Sequence, residues 1–429
     1  MTHKPLPAPT AYDAITALRC LICGAEYAPG EVRYVCPHHG TEGILDVVYD
    51  YAAIAAHTDR DALTANHRRD MWRYLPLLPI AEPRFIPPLD VGWTPLYHAP
   101  RLGALLGLPN LWVKDDGRNP TASFKDRASA LAVVKAQEAN ARTITTASSG
   151  NAAAALAGMA AGVGLESVIF VPASAPQAKI AQLLIYGATV VLVEGTYDQA
   201  FDLCIAAANQ QGWYCRNTAY NPYMTEGKKT AAYEIAEQMG WEAPDRVFVA
   251  VGDGCIIGGL HKGFADLHAL GWIERMPRLM GVQAEGSAVL YEAWRRGVNE
   301  IRPIVPHTIA DSISVGVPRD RLKALRAVRQ TDGAFVVVSD EEILAAMRDL
   351  ARLTGVFAEP AAAAAVAGVR RALADGQVGR DERVVVVITG NGLKDIPAAM
   401  RAVEGEGKAV RLPPTVDALM AWLHVQEKD

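Results

Sequence analysis

The segment over residues 119–127 restricts the fold more than any other part of this chain, because it places a lysine between a turn and a helix. Its sequence, N-P-T-A-S-F-K-D-R, follows a short strand predicted at residues 111–114 and precedes an Ala-rich helix predicted over 126–139. At the start of a helix, Lys125 can form a Schiff base with an aldehyde cofactor, because the partial positive charge there disfavours its ammonium form. The alternative is a solvated lysine beside Asp126, since most lysines lie at the surface.

Three further turns come directly after predicted strands, at the positions where α/β proteins bind ligands. They are S-S-G-N at 148–151 after the strand 143–146, the glycine-rich loop 251–259 after 246–250, and T-G-N-G at 389–392 after 384–388. The first is lined with small hydrogen-bonding side chains, and the second exposes backbone N–H groups that can bind a phosphate. Each turn alone is common in α/β proteins, so the prediction depends on the order of all four segments.

In this order, the segments resemble the pyridoxal-phosphate enzymes of fold type II, and the chain looks most like the threonine synthase family. The resemblance covers about residues 91–395. It is strongest at 119–127, at 221–232 with its N-P-Y and E-G-K-K-T-A-A sequences, and at 389–395 with T-G-N-G-L-K-D.

The resemblance implies a role in pyridoxal-phosphate binding for residues in each segment. Lys125 would carry the cofactor as a Schiff base and then move protons at Cα and Cβ of the substrate. Phe124 would pack near the ring, Asn151 would hydrogen-bond its phenolic oxygen, and Thr389 would contact the pyridine nitrogen. The phosphate would be held by the loop residues Gly252, Asp253, Gly254, Cys255 and Ile256.

The same resemblance implies how an amino-acid substrate is bound. Ser148, Ser149 and Gly150 would hold its carboxylate, and Lys179 would bind the phosphate of O-phosphohomoserine. Met224, however, stands where family members often carry an arginine. The G-D-G-C loop also leans toward the loops of threonine and serine ammonia-lyases.

Three functions therefore stay open at this stage. The leading one is a threonine synthase-like carbon–oxygen lyase that converts O-phosphohomoserine and water to threonine and phosphate. The second is an ammonia-lyase or β-replacement synthase acting on serine-, threonine- or phosphoserine-like amino acids. The third is a non-catalytic ligand-binding relic of the fold, which would have no need of Lys125.

Half of the six cysteines form a possible metal site. Cys20, Cys23 and Cys36 precede His39 in a C-x2-C-x12-C-x2-H pattern, which fits a structural zinc ribbon with three thiolates and one imidazole. His38 is the alternative fourth ligand, because similar knuckles of the family usually carry a cysteine where His39 stands. The other interpretation is a vestigial knuckle with reduced, metal-free cysteines.

Composition excludes several classes of protein. A net charge of −5 without blocks of basic residues disfavours binding to nucleic acid or to an anionic membrane. No stretch approaches the roughly 18 apolar residues of a membrane span, and no signal peptide is recognisable at the N-terminus. We expect a cytoplasmic enzyme, and relatives of this fold are commonly homodimers.

The alternation of strands and helices predicts the α/β class, with two doubly wound domains like those of the tryptophan synthase β fold. Residues 1–50 would form the zinc-ribbon-like segment. Residues 51–127 and 223–429 would form the larger, cofactor-binding domain, and residues 128–222 a smaller α/β domain. Within the larger domain, residues 51–74 are predicted to be helical, and the Pro-rich run 76–88 is predicted to be a linker or covering arm.

Overall fold

The computed structural model describes residues 10–148, 150–175, 177–405 and 409–426. The strands within these ranges are β1 Ile15–Cys20, β2 Glu26–Tyr27, β3 Leu45–Tyr49, β4 Leu96–His98, β5 Leu111–Asp115, β6 Thr143–Ala147, β7 Glu166–Pro172, β8 Thr189–Val193, β9 Tyr214–Cys215, β10 Arg246–Ala250, β11 Arg278–Ala284, β12 Ala334–Val338 and β13 Val384–Ile388.

The α-helices of the same ranges are α1 Tyr51–Ala55, α2 Arg60–Thr64, α3 Pro100–Leu106, α4 Lys125–Glu138, α5 Asn151–Val163, α6 Gln177–Ile185, α7 Tyr197–Gln211, α8 Tyr223–Lys228, α9 Thr230–Gln238, α10 Cys255–Ala269, α11 Val289–Arg295, α12 Arg321–Gln330, α13 Asp340–Thr354, α14 Pro360–Ala374, α15 Ile396–Ala402 and α16 Val416–Gln426. The 3-10 helices are Gly40–Glu42, Met71–Leu77, Pro83–Phe85, Asp116–Arg118, Glu285–Ser287, Asp311–Ile313 and Gly392–Lys394. In the part of the chain that the structure describes, no helix has both the length and the apolar composition needed to cross a membrane.

The strands form three sheets. The first is antiparallel, with the order β2-β1-β3 near the N-terminus. The second has the order β12-β11-β10-β13-β5-β4 and is parallel except for β4 at its edge. The third is parallel, with the order β8-β7-β6-β9. In both larger sheets non-consecutive strands are neighbours, as expected of doubly wound α/β folds.

The six-stranded sheet is covered on both faces, which explains why its two central strands, β10 and β13, are almost entirely apolar. All five residues of β13 are buried. In β10, Val247 and Val249 belong to one hydrophobic core, which includes residues of α9, α10 and α12. Phe248 and Ala250 point to the opposite core, which includes residues of α13 and α14.

The four-stranded sheet has its own core, built with residues of α4, α5 and α7. Its strands lie between residues 143 and 215, inside the predicted smaller domain. The strands of the six-stranded sheet lie inside the two segments predicted for the larger domain. The exact domain boundaries stay a prediction. Leu77 packs in a core of the six-stranded sheet, whereas Leu78 and Ile80 pack in the core of the four-stranded sheet. The start of the Pro-rich run therefore lies between these two cores.

The prediction of one helical segment over residues 51–74 is wrong. The chain instead forms α1, α2 and the 3-10 helix Met71–Leu77. Asp50, Asp59 and Asp70 each accept hydrogen bonds from backbone N–H groups at the start of one of these short helices. Because aspartate side chains compete for these N–H groups, they favour a new helix start over the continuation of a long helix.

Candidate active site

Lys125 begins α4 at a point where backbone contacts hold it against the end of β13. The N–H of Phe124 donates to the carbonyl of Thr389 at 2.9 Å, and Ser123 forms a β-bridge with Gly390. Ala122 reaches this bridge in a left-handed conformation with φ of 62°, which is uncommon outside glycine. The half-buried side chain of Lys125 therefore lies beside the turn at 389–392.

The neighbours of Lys125 in the motif have structural partners. Asp126 is buried and accepts hydrogen bonds from the backbone N–H and the hydroxyl of Thr121 at 2.7 and 2.5 Å. Arg127 is fully buried and pairs with Asp116 at 2.6 Å and with Glu234 at 2.5 Å. These contacts tie the first turn of α4 to the 3-10 helix after β5 and to α9, and so position the lysine.

The glycine-rich loop forms a narrow cradle at the start of α10. Gly254 has a φ of 98°, and no side chain caps the helix, so the first backbone N–H groups of α10 are left for a ligand. A Cβ atom at Gly252 would lie 2.9 Å from the Cα atom of Ile313, and one at Gly254 would lie 2.7 Å from the Cβ of Ala324. Such a cradle of backbone donors fits a phosphate group.

The carboxylate of Asp253 points toward the segment that precedes α12. The backbone N–H of Arg319 donates to its Oδ1 at 3.2 Å. Burial raises the pKa of Asp253, while this hydrogen bond and the charges of Lys125 and Arg319 act in the opposite direction. Both the orientation and the shift toward the neutral form reduce its conflict with a bound phosphate.

Three cavities share Asn151 and Ser312 in their linings, and Lys125 lines two of them. We call the smallest, of about 40 Å³, the loop cavity; it is lined by Lys125, Asn151, residues 250–257, Ser312, Ile313, Glu359, Ala361 and Thr389. The inner cavity, of about 500 Å³, is lined by Lys125, Thr146, Ser148, Gly150, Asn151, Tyr197, Arg216, Thr218, Asp253, Cys255, Ser312 and others. The outer cavity, of about 360 Å³, is lined by residues that include Thr121, Gly150, Asn151, Lys179, Asp311, Ser312, Glu359 and Lys394.

The structure thus brings most of the predicted cofactor residues to one place. Lys125, Asn151, Thr389 and the loop from Gly252 to Ile256 all line the loop cavity. Phe124 does not line these cavities. Its ring is fully buried in the core that includes residues of α9, α10 and α12, and the Arg127 guanidinium lies 5.4 Å from the ring centre.

Glu359 is a buried acid of this site that the sequence motifs did not identify. Its Oε1 accepts a hydrogen bond from Nδ2 of Asn151 at 2.8 Å. Burial raises the pKa of Glu359, whereas the Asn151 hydrogen bond and the charges of Lys394, Lys179 and Lys125 lower it. The acid stands directly before Pro360 at the start of α14, and in the sequence it is indistinguishable from an ordinary residue at a helix start.

The predicted substrate residues divide between two cavities. Ser148 lines the inner cavity with Lys125, and its hydroxyl accepts a hydrogen bond from the N–H of Gly150 at 3.1 Å. Ser149 lies outside the described residues. Lys179 lines the outer cavity and forms an ion pair with Asp311. Gly150 borders both cavities, so a substrate held there could reach from Lys125 toward Lys179.

The predicted metal ligands lie together at the end of β1 and in the turns beside the N-terminal sheet. One ligand atom from each of Cys20, Cys23, Cys36 and His39 falls within 4.8 Å of the others, and the Cys23 and Cys36 sulfurs are 3.9 Å apart. A tetrahedral zinc ion with Zn–S bonds of about 2.3 Å needs sulfurs about 3.8 Å apart. The N–H of Ile22 also donates to the Cys20 sulfur at 3.4 Å, a contact that favours a thiolate. The geometry therefore fits zinc.

Comparison with known proteins agrees with this arrangement. Residues 88–390 match the family model described as pyridoxal-phosphate dependent enzyme. Threonine synthase from Methanosarcina acetivorans is 42% identical over 381 residues, which cover 88% of this chain and 92% of that protein. Threonine synthase from Methanocaldococcus jannaschii is 39% identical over 388 residues, which cover 90% of this chain and 95% of that protein.

Solved structures share the fold. Diaminopropionate ammonia lyase from Escherichia coli has a TM-score of 0.64 at 20% identity, covering 83% of this chain and 92% of that one. Threonine deaminase isoform 2 from Solanum lycopersicum has a TM-score of 0.63 at 23% identity, covering 72% and 82%. The predicted α/β class and fold type II are confirmed. The chain belongs to the pyridoxal-phosphate dependent enzyme family and, within it, to the threonine synthases, with pyridoxal phosphate as its cofactor.

Proposed function

We propose that this enzyme converts O-phosphohomoserine and water to threonine and phosphate. The observation that carries the proposal is the position of Lys125, whose side chain lines both the loop cavity and the inner cavity. A cofactor phosphate on the glycine-rich loop and an amino acid at Ser148 and Gly150 would meet at this amine. The names of the similar threonine synthases support the choice of reaction.

Pyridoxal phosphate, when bound, stabilises negative charge on the carbons next to the substrate amino group. The residues of the chain hold it and move protons. We assign the phosphate to the backbone N–H groups from Gly252 to Ile256, and the pyridine nitrogen to the Thr389 hydroxyl. Asn151 would give its amide to the phenolic oxygen, exchanging the hydrogen bond that it now makes with Glu359. Phe124 supports the site from the core.

Lys125 would act as the base and acid of the reaction. It takes a proton from Cα and then one from Cβ, so that the phosphate can leave from Cγ with the bonding electron pair. The amine returns protons to Cγ and Cα, water adds its hydroxyl to Cβ, and the remaining proton of the water goes to the released phosphate. The net change is one water consumed and one phosphate released.

The substrate itself would be held at two points. Ser148, Ser149 and Gly150 are assigned to its carboxylate, since small donors at the start of α5 favour an anion. Lys179 is assigned to its phosphate, and for this the ammonium must exchange its partner Asp311 for the substrate. A phosphate carries more negative charge than one carboxylate, which favours the exchange.

A second reaction class, β-elimination from serine- or threonine-like amino acids, needs only proton removal at Cα and no distal phosphate site. The test is a panel of O-phosphohomoserine, O-phosphoserine, serine and threonine, assayed for released phosphate, ammonia and threonine. Threonine and phosphate in equal amounts from O-phosphohomoserine support the proposal. Ammonia from serine or threonine, with no turnover of O-phosphohomoserine, would assign the enzyme to the second class.

We further propose that Cys20, Cys23, Cys36 and His39 bind a structural zinc ion. Four protein ligands leave no open position on the metal, so zinc would hold the N-terminal sheet together and take no part in catalysis. Tyr49, at the end of this sheet, donates to Glu226 of α8 at 2.7 Å, which links the segment to the larger domain. Metal analysis of the purified protein tests this assignment.

We also propose a homodimer that works in the cytoplasm. Several apolar side chains are exposed near the C-terminus, and such patches commonly mark subunit contacts. They are Leu393, Ile396, Met400, Val416, Leu419, Met420 and Leu423. All six cysteines are free, as is usual in a reducing compartment. Light scattering would measure the mass of the protein in solution.

The proposed smaller domain, residues 128–222, would move relative to the rest of the chain during turnover.

A further inference from the structure

Arg216 follows β9 and is a buried cation with spare hydrogen-bonding capacity. Its side chain is 1% exposed, yet it lines the inner cavity together with Lys125. The Nε group donates to the hydroxyl of Ser129 at 3.3 Å, whereas Nη2 is buried and has no hydrogen-bond partner within the described ranges of the chain. A buried guanidinium normally binds an anion, because an unpaired charge away from water is costly.

Lys228 on α8 adds a second buried basic group nearby. Its ammonium contacts the carbonyl of Met224 at 3.0 Å and the hydroxyl of Thr218 at 3.4 Å, both of which are neutral groups. Burial lowers the pKa of Lys228 to about 7; Cys255 opposes this shift, while the charges of Arg216 and Lys125 add to it.

Other buried cations of this protein are treated differently. Arg127, Lys114 and Lys229 are buried to the same degree, and each pairs with at least one carboxylate. No such pair is found for Arg216 or Lys228 among the residues that the structure describes. The acids close to Lys228 do not fill this role, since burial raises the pKa of Asp320 and favours its neutral form.

The surroundings of the free Nη2 group suit an oxyanion. Ser148 and Thr218 line the same cavity, and each of their hydroxyls accepts a hydrogen bond, so the hydroxyl proton stays available to an oxyanion. Arg216 lines the inner cavity but is not among the residues that line the loop cavity, where the cofactor phosphate is assigned. Arg216 therefore borders the cavity to which the substrate carboxylate is assigned.

We propose that Arg216, supported by the charge of Lys228, binds the phosphate group of the substrate. This inference rests on the proposed function and adds a residue to the substrate site. A phosphate dianion accepts several charge-assisted hydrogen bonds, so the contact adds to the one assigned to Lys179. Arg216 also supplies a basic side chain to a protein in which Met224, after the N-P-Y sequence, replaces the arginine that family members often carry.

The experiment compares the holoenzyme with R216M, R216K and, as a matched control, R246M. Arg246 is also buried and pairs with Glu382 at the opposite, amino-terminal end of β10. We expect R216M to raise both the KM for O-phosphohomoserine and the inhibition constant of inorganic phosphate about 10- to 100-fold, as for loss of a hydrogen bond to a charged group. R216M should retain its cofactor after dialysis, and R246M should keep both constants.

Unchanged constants in R216M would overturn the proposal. So would loss of cofactor with an unchanged inhibition constant, because Arg216 would then serve the cofactor phosphate. If R216M does not fold, R216K decides: it keeps the charge but loses the two-pronged geometry, so a several-fold rise in both constants is expected and no rise overturns the proposal.

Failure of the proposed function has a separate signature. A wild-type enzyme that forms no threonine from O-phosphohomoserine would refute that reaction. Inorganic phosphate can still be titrated into the wild-type and R216M holoenzymes, with the cofactor absorbance as the readout. Weaker binding in R216M would support the anion site, and equal binding or no binding to either protein would overturn it.

Discussion

The side-chain amide of Asn151 donates a hydrogen bond of 2.8 Å to the buried carboxylate of Glu359, which joins the starts of α5 and α14 beside Lys125. Helix α5 packs in the core of the four-stranded sheet, whereas α14 packs in a core of the six-stranded sheet. The close approach has a steric requirement, since a Cβ atom at Gly390 would clash with Oε1 of Glu359. The glycine of the T-G-N-G turn thus makes room for an acid that the motif does not contain.

Replacing Glu359 with glutamine should stabilise the cofactor-free protein at neutral pH. Because burial raises the pKa of Glu359, the acid favours the folded state below the pKa of unfolded glutamate, and this contribution is lost as pH rises through the folded pKa. Each tenfold difference between the acid dissociation constants of Glu359 in the folded and unfolded states changes the free energy of unfolding by about 1.4 kcal/mol. Urea unfolding should show a gain for E359Q over wild type that grows as the pH rises above the pKa of unfolded glutamate and levels off above the folded pKa. The exposed Glu274→Gln is the control, and a pH-independent difference for E359Q would contradict the prediction.

Replacing Lys125 with alanine should abolish the covalent attachment of the cofactor. We expect turnover to fall by about 100- to 10,000-fold or more, since both proton transfers lose their base. Borohydride reduction followed by peptide mapping should label Lys125 in the wild type. Lys262→Ala, which removes a lysine paired with Asp266 on α10, should keep both the label and the activity. A label on another lysine would refute the role of Lys125.

The sequence was sufficient to predict the strands that end at the site. The apolar runs 247–250 of β10 and 384–388 of β13 are typical of buried parallel strands, and the turns after them mark the ligand-binding edge. The order of these segments, together with their resemblance to fold type II enzymes, predicted that Lys125, Asn151, Thr389 and the glycine-rich loop share one site. Their individual roles stay predictions.

Other features depend on packing that leaves no local pattern. Glu359 and Arg216 are single polar residues beside apolar segments, and only the fold shows that their side chains enter the cavities around Lys125. Asp311 begins a short 3-10 helix in a segment without a recognisable motif, yet it forms an ion pair with Lys179. By contrast, the breaks in the segment 51–74 had a visible signal in its capping aspartates, such as Asp59.

The ion pair between Lys179 and Asp311 gives opposite expectations for its two members. K179M should raise the KM for O-phosphohomoserine about 10- to 100-fold, because a charge-assisted contact to phosphate is lost, and should leave any serine deamination unchanged. D311N should keep or lower that KM, since it frees the ammonium. Steady-state kinetics with both substrates measure these effects. An equal rise in both variants would mean that the ion pair, and not the ammonium alone, is required.

The adjacent histidines of the N-terminal segment provide a matched pair for the zinc assignment. His39 belongs to the cluster with Cys20, Cys23 and Cys36, whereas the side chain of His38 is exposed. H39A should lower the zinc content per chain and the melting temperature by several degrees, and H38A should change neither. Metal analysis and thermal unfolding, with and without a chelator, measure this. Zinc retained by H39A but lost from H38A would reverse the assignment.

The last prediction concerns the buried ion network that positions α4. Arg127 pairs with Asp116 and Glu234, and Lys114 also pairs with Glu234 at 2.7 Å, with all four side chains fully buried. Burial by itself would raise the pKa of Glu234, but the two cations hold it below its usual value. R127M should therefore destabilise the protein by about 3–5 kcal/mol, because it leaves the buried carboxylate of Asp116 without its cation and Glu234 with Lys114 alone.

The exposed pair between Arg278 and Asp332 supplies the contrast, since R278M should cost at most about 1 kcal/mol. Urea unfolding of both variants at neutral pH compares the two losses. Because Arg127 lies two residues after Lys125, R127M should also reduce turnover in the fraction that stays folded. A loss as small as that of R278M would mean that the network contributes little to holding the lysine in place.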